Sequence, residues 1–138
     1  MNKTKAVKKS ESKRPVKGLA FKRRAYRVCG HIWIEGTDGA FLGLGRIMLL
    51  ERIMSLGSIR RAAGSIRMSY RRAWELVESM NRQAAFPLVI ASTGGRNGGG
   101  ACLTEAGREA IAVFRRMDSE FGKFAQKEGD RLTGLKKV

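Results

Sequence analysis

The chain has 138 residues, 43% of them hydrophobic, and 28 Lys and Arg against 12 Asp and Glu, a formal net charge of +16. That length supports one domain with a core, and the longest apolar run, around Ile47–Leu50, falls far short of the roughly 18 residues of a membrane span. Two cysteines, Cys29 and Cys102, and a single histidine, His31, exclude a disulfide framework, a zinc site and most histidine-based catalysis.

Residues 1–27 hold eleven Lys and Arg against one acid, Glu11, a net +10, and few apolar residues. They read as a basic disordered tail, either one that lies along phosphates or a plain solubilising terminus. No apolar stretch or cleavage site follows the basic start, so no signal peptide is expected. A folded domain is expected over 28–128. Val28–Glu35, with its β-branched and aromatic residues, suits a strand, and Gly36-Thr37-Asp38-Gly39 punctuates it.

From Arg46 the period becomes helical. Ile47, Leu50 and Met54 form a stripe that Leu49, Ile53 and Leu56 widen, and Gly57 stands where a helix C-terminus favours positive φ. Ser58 caps a short second helix that ends near Gly64; Ser69 caps a third, Tyr70 to about Arg82. On the third helix Ala73, Leu76, Val77 and Met80 face inward, while Arg71, Glu75, Glu78 and Arg82 centre on the opposite side. Such a face is either a solvated surface or a recognition surface. Three helices with a short one and a tight turn in the middle describe a helix-turn-helix.

Pro87–Ala91 reads as a strand, Thr93–Gly100 as a loop with five glycines, and Ala101–Leu103 as a second strand. Two strands joined by a basic, glycine-rich tip form a wing. The loop lacks the Gly-Lys-Ser/Thr ending of a P-loop, and it does not sit in a βαβ unit, so nucleotide binding is set aside. Thr104 caps a long helix, Glu105 to about Lys127, whose apolar stripe Ile111, Phe114, Met117, Phe121 and Phe124 packs on the core or makes a dimer contact. Residues 129–138 are polar and basic, a tail expected to fray. The predicted fold class is mainly α with a small β wing: a winged helix-turn-helix with a long C-terminal helix.

Several segments together resemble a known family. They are Gly45-Arg46-Ile47-x-Leu49-Leu50-x-x-Ile53, Gly57-Ser58-Ile59, Met68-Ser69-Tyr70-x-x-Ala73-Trp74, Met80-Asn81, Thr93-Gly94-Gly95-Arg96-x-Gly98-Gly99-Gly100-Ala101 and Leu103-Thr104-x-x-Gly107. Residues about 30–125 resemble the N-terminal DNA-binding domain of ModE-type molybdate-responsive transcription regulators, and the last segment is more distantly similar to LysR-type winged helices. The resemblance implies a dimer that places the helix Ser69–Arg82 in the major groove of a palindromic operator. Two departures stand out. The family usually has glycine where Arg67 stands and another residue where Gly64 stands, so the tight turn is expected to be displaced by a few residues. The paired small β-barrels that bind the oxyanion in those regulators find no counterpart before this chain ends. Molybdate response is therefore not carried over, and high-affinity molybdate binding is not expected.

The reading is a sequence-specific, homodimeric DNA-binding transcription regulator of repressor type, with no catalysis, metal or cofactor and no membrane partner. Ser69, Tyr70, Arg71, Arg72 and Glu75 are placed at base edges; Glu75 either accepts from cytosine N4 or orients Arg71. Ser58, Arg60, Arg61, Arg67, Thr93, Arg96 and Asn97 are placed on phosphates. Ile111, Phe114, Met117, Phe121 and Phe124 are the candidate dimer contact. The rival readings are an architectural protein that coats DNA with little sequence preference, and a molybdate-binding protein using backbone N–H groups of the glycine loop with Arg96.

Overall fold

The structure, a computed structural model, describes residues 25–92 and 99–135. It is mostly helical, with two short antiparallel hairpins and a long C-terminal helix. The order is β1 (Ile34–Gly36), β2 (Gly39–Leu42), α1 (Leu44–Leu56), α2 (Ile59–Ser65), α3 (Tyr70–Gln83), β3 (Val89–Ala91), β4 (Ala101–Leu103) and α4 (Glu105–Thr133). Strand β1 pairs with β2 and β3 with β4, as two separate two-stranded sheets.

The expected strand over Val28–Glu35 shrinks to Ile34–Gly36. Residues 25–33 run extended but unpaired, because the surface beside them is a helix and offers no free backbone edge. They form a strap along the C-terminal half of α4. The Tyr26 N–H donates to Thr133 Oγ1 at 3.0 Å, and Gly129 lies so close beneath that a Cβ there would stand 3.0 Å from the Tyr26 carbonyl oxygen. A Cβ on Gly30 would meet the Phe121 ring at 3.0 Å, and a groove of about 440 Å³ remains between strap and helix. The strap contact at Tyr26 lies inside the span assigned to the tail; residues 1–24 lie outside the described residues. The helix end expected near Lys127 is corrected, since α4 continues to Thr133. Gly129 is buried under the strap, a contact that no local propensity signals.

The core is a single cluster drawn from every element between Leu42 and Phe114. Ile47, Leu49, Leu50 and Ile53 of α1 meet Ala62 and Ala63 of α2, Ala73, Leu76, Val77 and Met80 of α3, Leu88, Val89, Leu103 and Phe114. Met54, expected on the buried stripe, is 51% exposed. Ile53 takes the inward position, and one further residue turns the side chain about 100° away from it. The inward face expected for α3 is the observed one.

The helix ends are set by short-range chemistry. Ser58 Oγ accepts from Arg61 N, Ser69 Oγ from Arg72 N and Thr104 Oγ1 from Gly107 N, each satisfying a donor left over in a first turn. At the end of α1 Gly57 takes φ +67 and its N–H donates to the Ile53 carbonyl at 2.8 Å. At the end of α2 the Met68 N–H donates to the Ala63 carbonyl at 2.9 Å and the Arg67 N–H to the Gly64 carbonyl at 3.3 Å. This pair of bonds requires a left-handed residue between them, and Arg67 supplies it at φ +55. The expected displacement of the turn is thereby corrected: the turn stays at 67 and Arg67 bears the strain, because the two bonds fix which residue turns.

The two hairpins are tied in from their bases. Asn81 Oδ1 accepts from Leu88 N and Val89 N at 2.8 and 3.1 Å, and its Nδ2 donates to the Val89 carbonyl at 2.9 Å. The Ala101 N–H donates to the Gly57 carbonyl at 2.9 Å, joining β4 to the turn between α1 and α2. Gln83 Nε2 donates to the Ala40 carbonyl at 3.1 Å, holding the β1–β2 hairpin to the end of α3. α4 starts on top of β3: Thr104 Oγ1 donates to the Pro87 carbonyl at 2.6 Å, and a Cβ on Gly107 would collide with the Leu88 carbonyl oxygen. From Arg115 onward, Nε and Nη2 hold both oxygens of Glu51 at 2.8 and 2.7 Å, pinning α4 to α1.

Candidate nucleic-acid interface

The first turn of α3 contains two arginines and no acid. A helix N-terminus carries unsatisfied N–H groups and a partial positive charge, so cations there are unfavourable for an isolated helix and favourable beside an anion. The Arg71 and Arg72 side chains are 91% and 62% exposed. One turn later Glu75 sits between them, with Arg71 Nε at 3.2 Å and Arg72 Nη1 at 3.9 Å. The carboxylate holds the Arg71 guanidinium by a hydrogen bond and attracts that of Arg72 across a longer gap, leaving most of their donors open. At this exposure the pairs act as orientation more than as stability.

Around this turn the expected site residues come together in part. Tyr70 meets Trp74 edge-on with ring centroids 6.2 Å apart, and the Arg60 guanidinium lies over the Tyr70 ring, 4.2 Å from its centroid. That stack joins the first turn of α2 to the first turn of α3. Ser69, placed at base edges from sequence, has its Oγ committed to capping α3, and Ser58 Oγ is committed in the same way to α2. Arg61 is exposed but reaches back, donating from Nη1 to the Leu56 carbonyl at 3.3 Å. Arg67 is exposed on the turn just before Ser69. Thr93, Arg96 and Asn97 lie outside the described residues.

Sequence reasoning passed over Arg46. Its Nη1 donates to Ser79 Oγ at 3.0 Å, which lays it along the α3 face seven residues from Arg72. Partial burial, and then the neighbouring Arg72 charge, lower its pKa from the ordinary arginine value. A basic residue in the first turn of α1, where acids are favoured, was the available signal. Asn81, in contrast, had no local signal, since its partners are fixed only once β3 folds back.

The candidate dimer contact divides. Ile111 and Phe114 are 9% and 1% exposed inside the protomer's own core, and so are corrected from a contact surface to core packing. Their helical spacing was right, but spacing cannot say which partner the stripe meets. Met117 and Phe121 are half-buried, Phe121 beneath the strap, and Phe124 is 56% exposed. Among the described residues there is no group of His, Cys, Asp and Glu that could hold a metal ion, and no helix is long and apolar enough to cross a membrane.

Fold and site together define a small, mostly helical protein that presents an arginine-bearing helix start beside an aromatic stack. No family model matches the chain. It is similar to the molybdenum transport protein ModE of Azotobacter vinelandii, 38% identical over 108 residues, which cover 78% of this chain and 40% of that protein. The molybdenum-pterin-binding protein MopB of Rhodobacter capsulatus is 42% identical over 95 residues, 69% of this chain and 35% of its own length. The DNA-binding transcriptional dual regulator ModE of Escherichia coli K12 is 41% identical over 69 residues, 50% of this chain and 26% of its own. These similarities support kinship with the ModE family. The chain spans no more than about 40% of the length of these relatives. None of the three carries the name of an enzyme.

Proposed function

We propose that this chain is a winged helix-turn-helix DNA-binding protein that regulates transcription, with α2 and α3 as the helix-turn-helix and β3–β4 as the wing. The observation that carries the reading is the first turn of α3. Two exposed arginines stand at a positive helix end with no acid in the turn, an arrangement that a polyanion relieves. In this reading α3 enters the major groove, where Arg71 takes guanine O6 and N7 with two hydrogen bonds and Glu75 holds it in plane. Arg72, Arg46 and the stacked Arg60 lie on flanking phosphates, with Arg61 and the wing residues Thr93, Arg96 and Asn97 extending the track. Two copies pair through the distal half of α4, around Met117, Phe121 and Phe124, and read a palindromic site.

Selection of bound fragments from genomic DNA, followed by titration, tests the reading. Arg71→Ala should weaken the selected site by about 1–3 kcal/mol and relax one base position. Equal loss on selected and random duplexes would instead favour a protein that coats DNA with little sequence preference. Sedimentation of a monomer at micromolar concentration would remove the pairing.

A second reading draws on the molybdenum-pterin-binding name of one relative: binding of an oxyanion by this chain. Equilibrium dialysis against molybdate, with sulfate at equal ionic strength as the control, distinguishes it. Retention of molybdate alone would support this second reading.

A further inference from the structure

Arg67 occupies a backbone position that suits it badly. Among the described residues it is the sole non-glycine with positive φ, at +55°. The two hydrogen bonds that close α2, from Met68 N to the Ala63 carbonyl and from Arg67 N to the Gly64 carbonyl, force that conformation on whichever residue stands there. Glycine adopts it freely, and asparagine adopts it with local hydrogen bonding; an arginine pays for its Cβ and gains nothing from the turn.

Nothing within the described protomer compensates. Arg67 is exposed, and among the described residues its guanidinium makes no hydrogen bond or ion pair. The nearest acid in sequence on α3, Glu75, is engaged by Arg71 and Arg72. The turn's apolar packing is made by the half-buried Ile66 and Met68 on either side. A strained residue whose cation has no partner among the described residues, on the turn that leads into an arginine-bearing helix start, points to a use outside them.

We propose that Arg67 is a phosphate-binding residue, kept in the left-handed turn at a cost to stability because its guanidinium grips the backbone of duplex DNA beside the α3 face. This rests on the reading of α3 as the DNA-facing helix. The turn sets the Cα at the mouth of α3, two residues before the Ser69 cap. From that Cα a side chain of this length can reach phosphates that flank the α3 face. The guanidinium fork matches a phosphodiester with two parallel N–H donors, a geometry that lysine meets only as a point charge.

The test uses the full chain and three variants, Arg67→Gly, Arg67→Asn and Arg67→Lys. Each is measured by thermal denaturation and by titration with a fluorescein-labelled duplex of random sequence across a salt series. Arg67→Gly should melt above wild type and yet bind the duplex about threefold to tenfold more weakly, with the slope of log affinity against log salt smaller by about one. Arg67→Asn should bind like the glycine variant, and Arg67→Lys should melt like wild type while keeping the slope. A glycine variant that is more stable but binds with unchanged affinity and slope would overturn the phosphate contact. One that melts no higher would overturn the cost. If wild type itself ignores the duplex, the DNA reading of α3 falls together with the contact, and the gain in melting temperature alone survives.

Discussion

The two ends of the turn region around α2 use one geometry on opposite residues. Gly57 and Arg67 both stand in the left-handed conformation, at φ +67 and +55, and both close a helix with a backbone N–H to a carbonyl of its last turn. At Gly57 the residue fits the backbone, and the turn also receives β4 through the Ala101 N–H. At Arg67 the residue opposes the backbone. The first junction thus suits its fold, whereas the second carries a side chain whose value the described residues do not explain. Where two sites share a backbone and differ in residue, the mismatch marks the site that answers to something other than stability.

Substitution at the first junction makes the largest test of this contrast. Gly57→Ala should lower stability by about 1–2 kcal/mol, read as a shift in the urea midpoint with unchanged slope. The nearest atom to a Cβ there is the Ala101 carbonyl oxygen at 4.0 Å, so the cost is conformational and not a collision. An unaffected midpoint would mean that the left-handed geometry is not costly in this turn, and the contrast with Arg67 would lose its basis.

Between the two junctions, Gly64 sits inside α2 with open space where a Cβ would go. Gly64→Ala should therefore stabilise by about 0.5–1 kcal/mol through the entropy of the unfolded chain. It should leave DNA affinity unchanged, unlike the stabilising substitution at Arg67. A matching fall in affinity would show that any stiffening of α2 weakens binding, and would strip Arg67 of its special role.

The smallest effect lies on the far side of the core, at Glu51 and Arg115. Hydrogen bonds from Arg115 hold the Glu51 carboxyl below its ordinary pKa, against a smaller opposing effect of burial. A lowered folded value means that the pair's contribution is fully present above the unfolded carboxylate pKa and is lost as pH falls through the folded one. For a partly exposed bidentate pair that contribution is about 0.2–1 kcal/mol. Glu51→Gln should flatten stability against pH in the acid range by this amount and leave the differences at positions 57, 64 and 67 as they were. An identical acid limb in the variant would remove the pair from the ledger.

Much of this protein was legible from local pattern. The inward face of α3, the caps Ser58, Ser69 and Thr104, the left-handed Gly57 and the strand Ala101–Leu103 all follow from rules that act within a turn or two of chain. The exposed Arg71, Arg72 and Glu75 follow from the same helical arithmetic, because a face opposite the core faces solvent. Burial and capping are short-range demands, so residue order alone can state them.

Other features needed the chain folded on itself. Whether the stripe of α4 met its own core or another surface depended on what lay against it, and Ile111 and Phe114 went to the core. The strap residues 28–33 looked like a strand because they suit extended backbone, but their neighbour proved to be a helix without a pairing edge. Gly129 and Asn81 owe their roles to partners distant along the chain or fixed only by its reversal. At Arg67 the departure from the family's usual glycine argued for moving the turn, yet two backbone hydrogen bonds between residues 63–68 held it in place. Side-chain preference is a modest term in each residue's conformation. The packing of α2 against α3 and the hydrogen bonds that close the turn outweigh it, and the arginine is carried into the left-handed region by its surroundings.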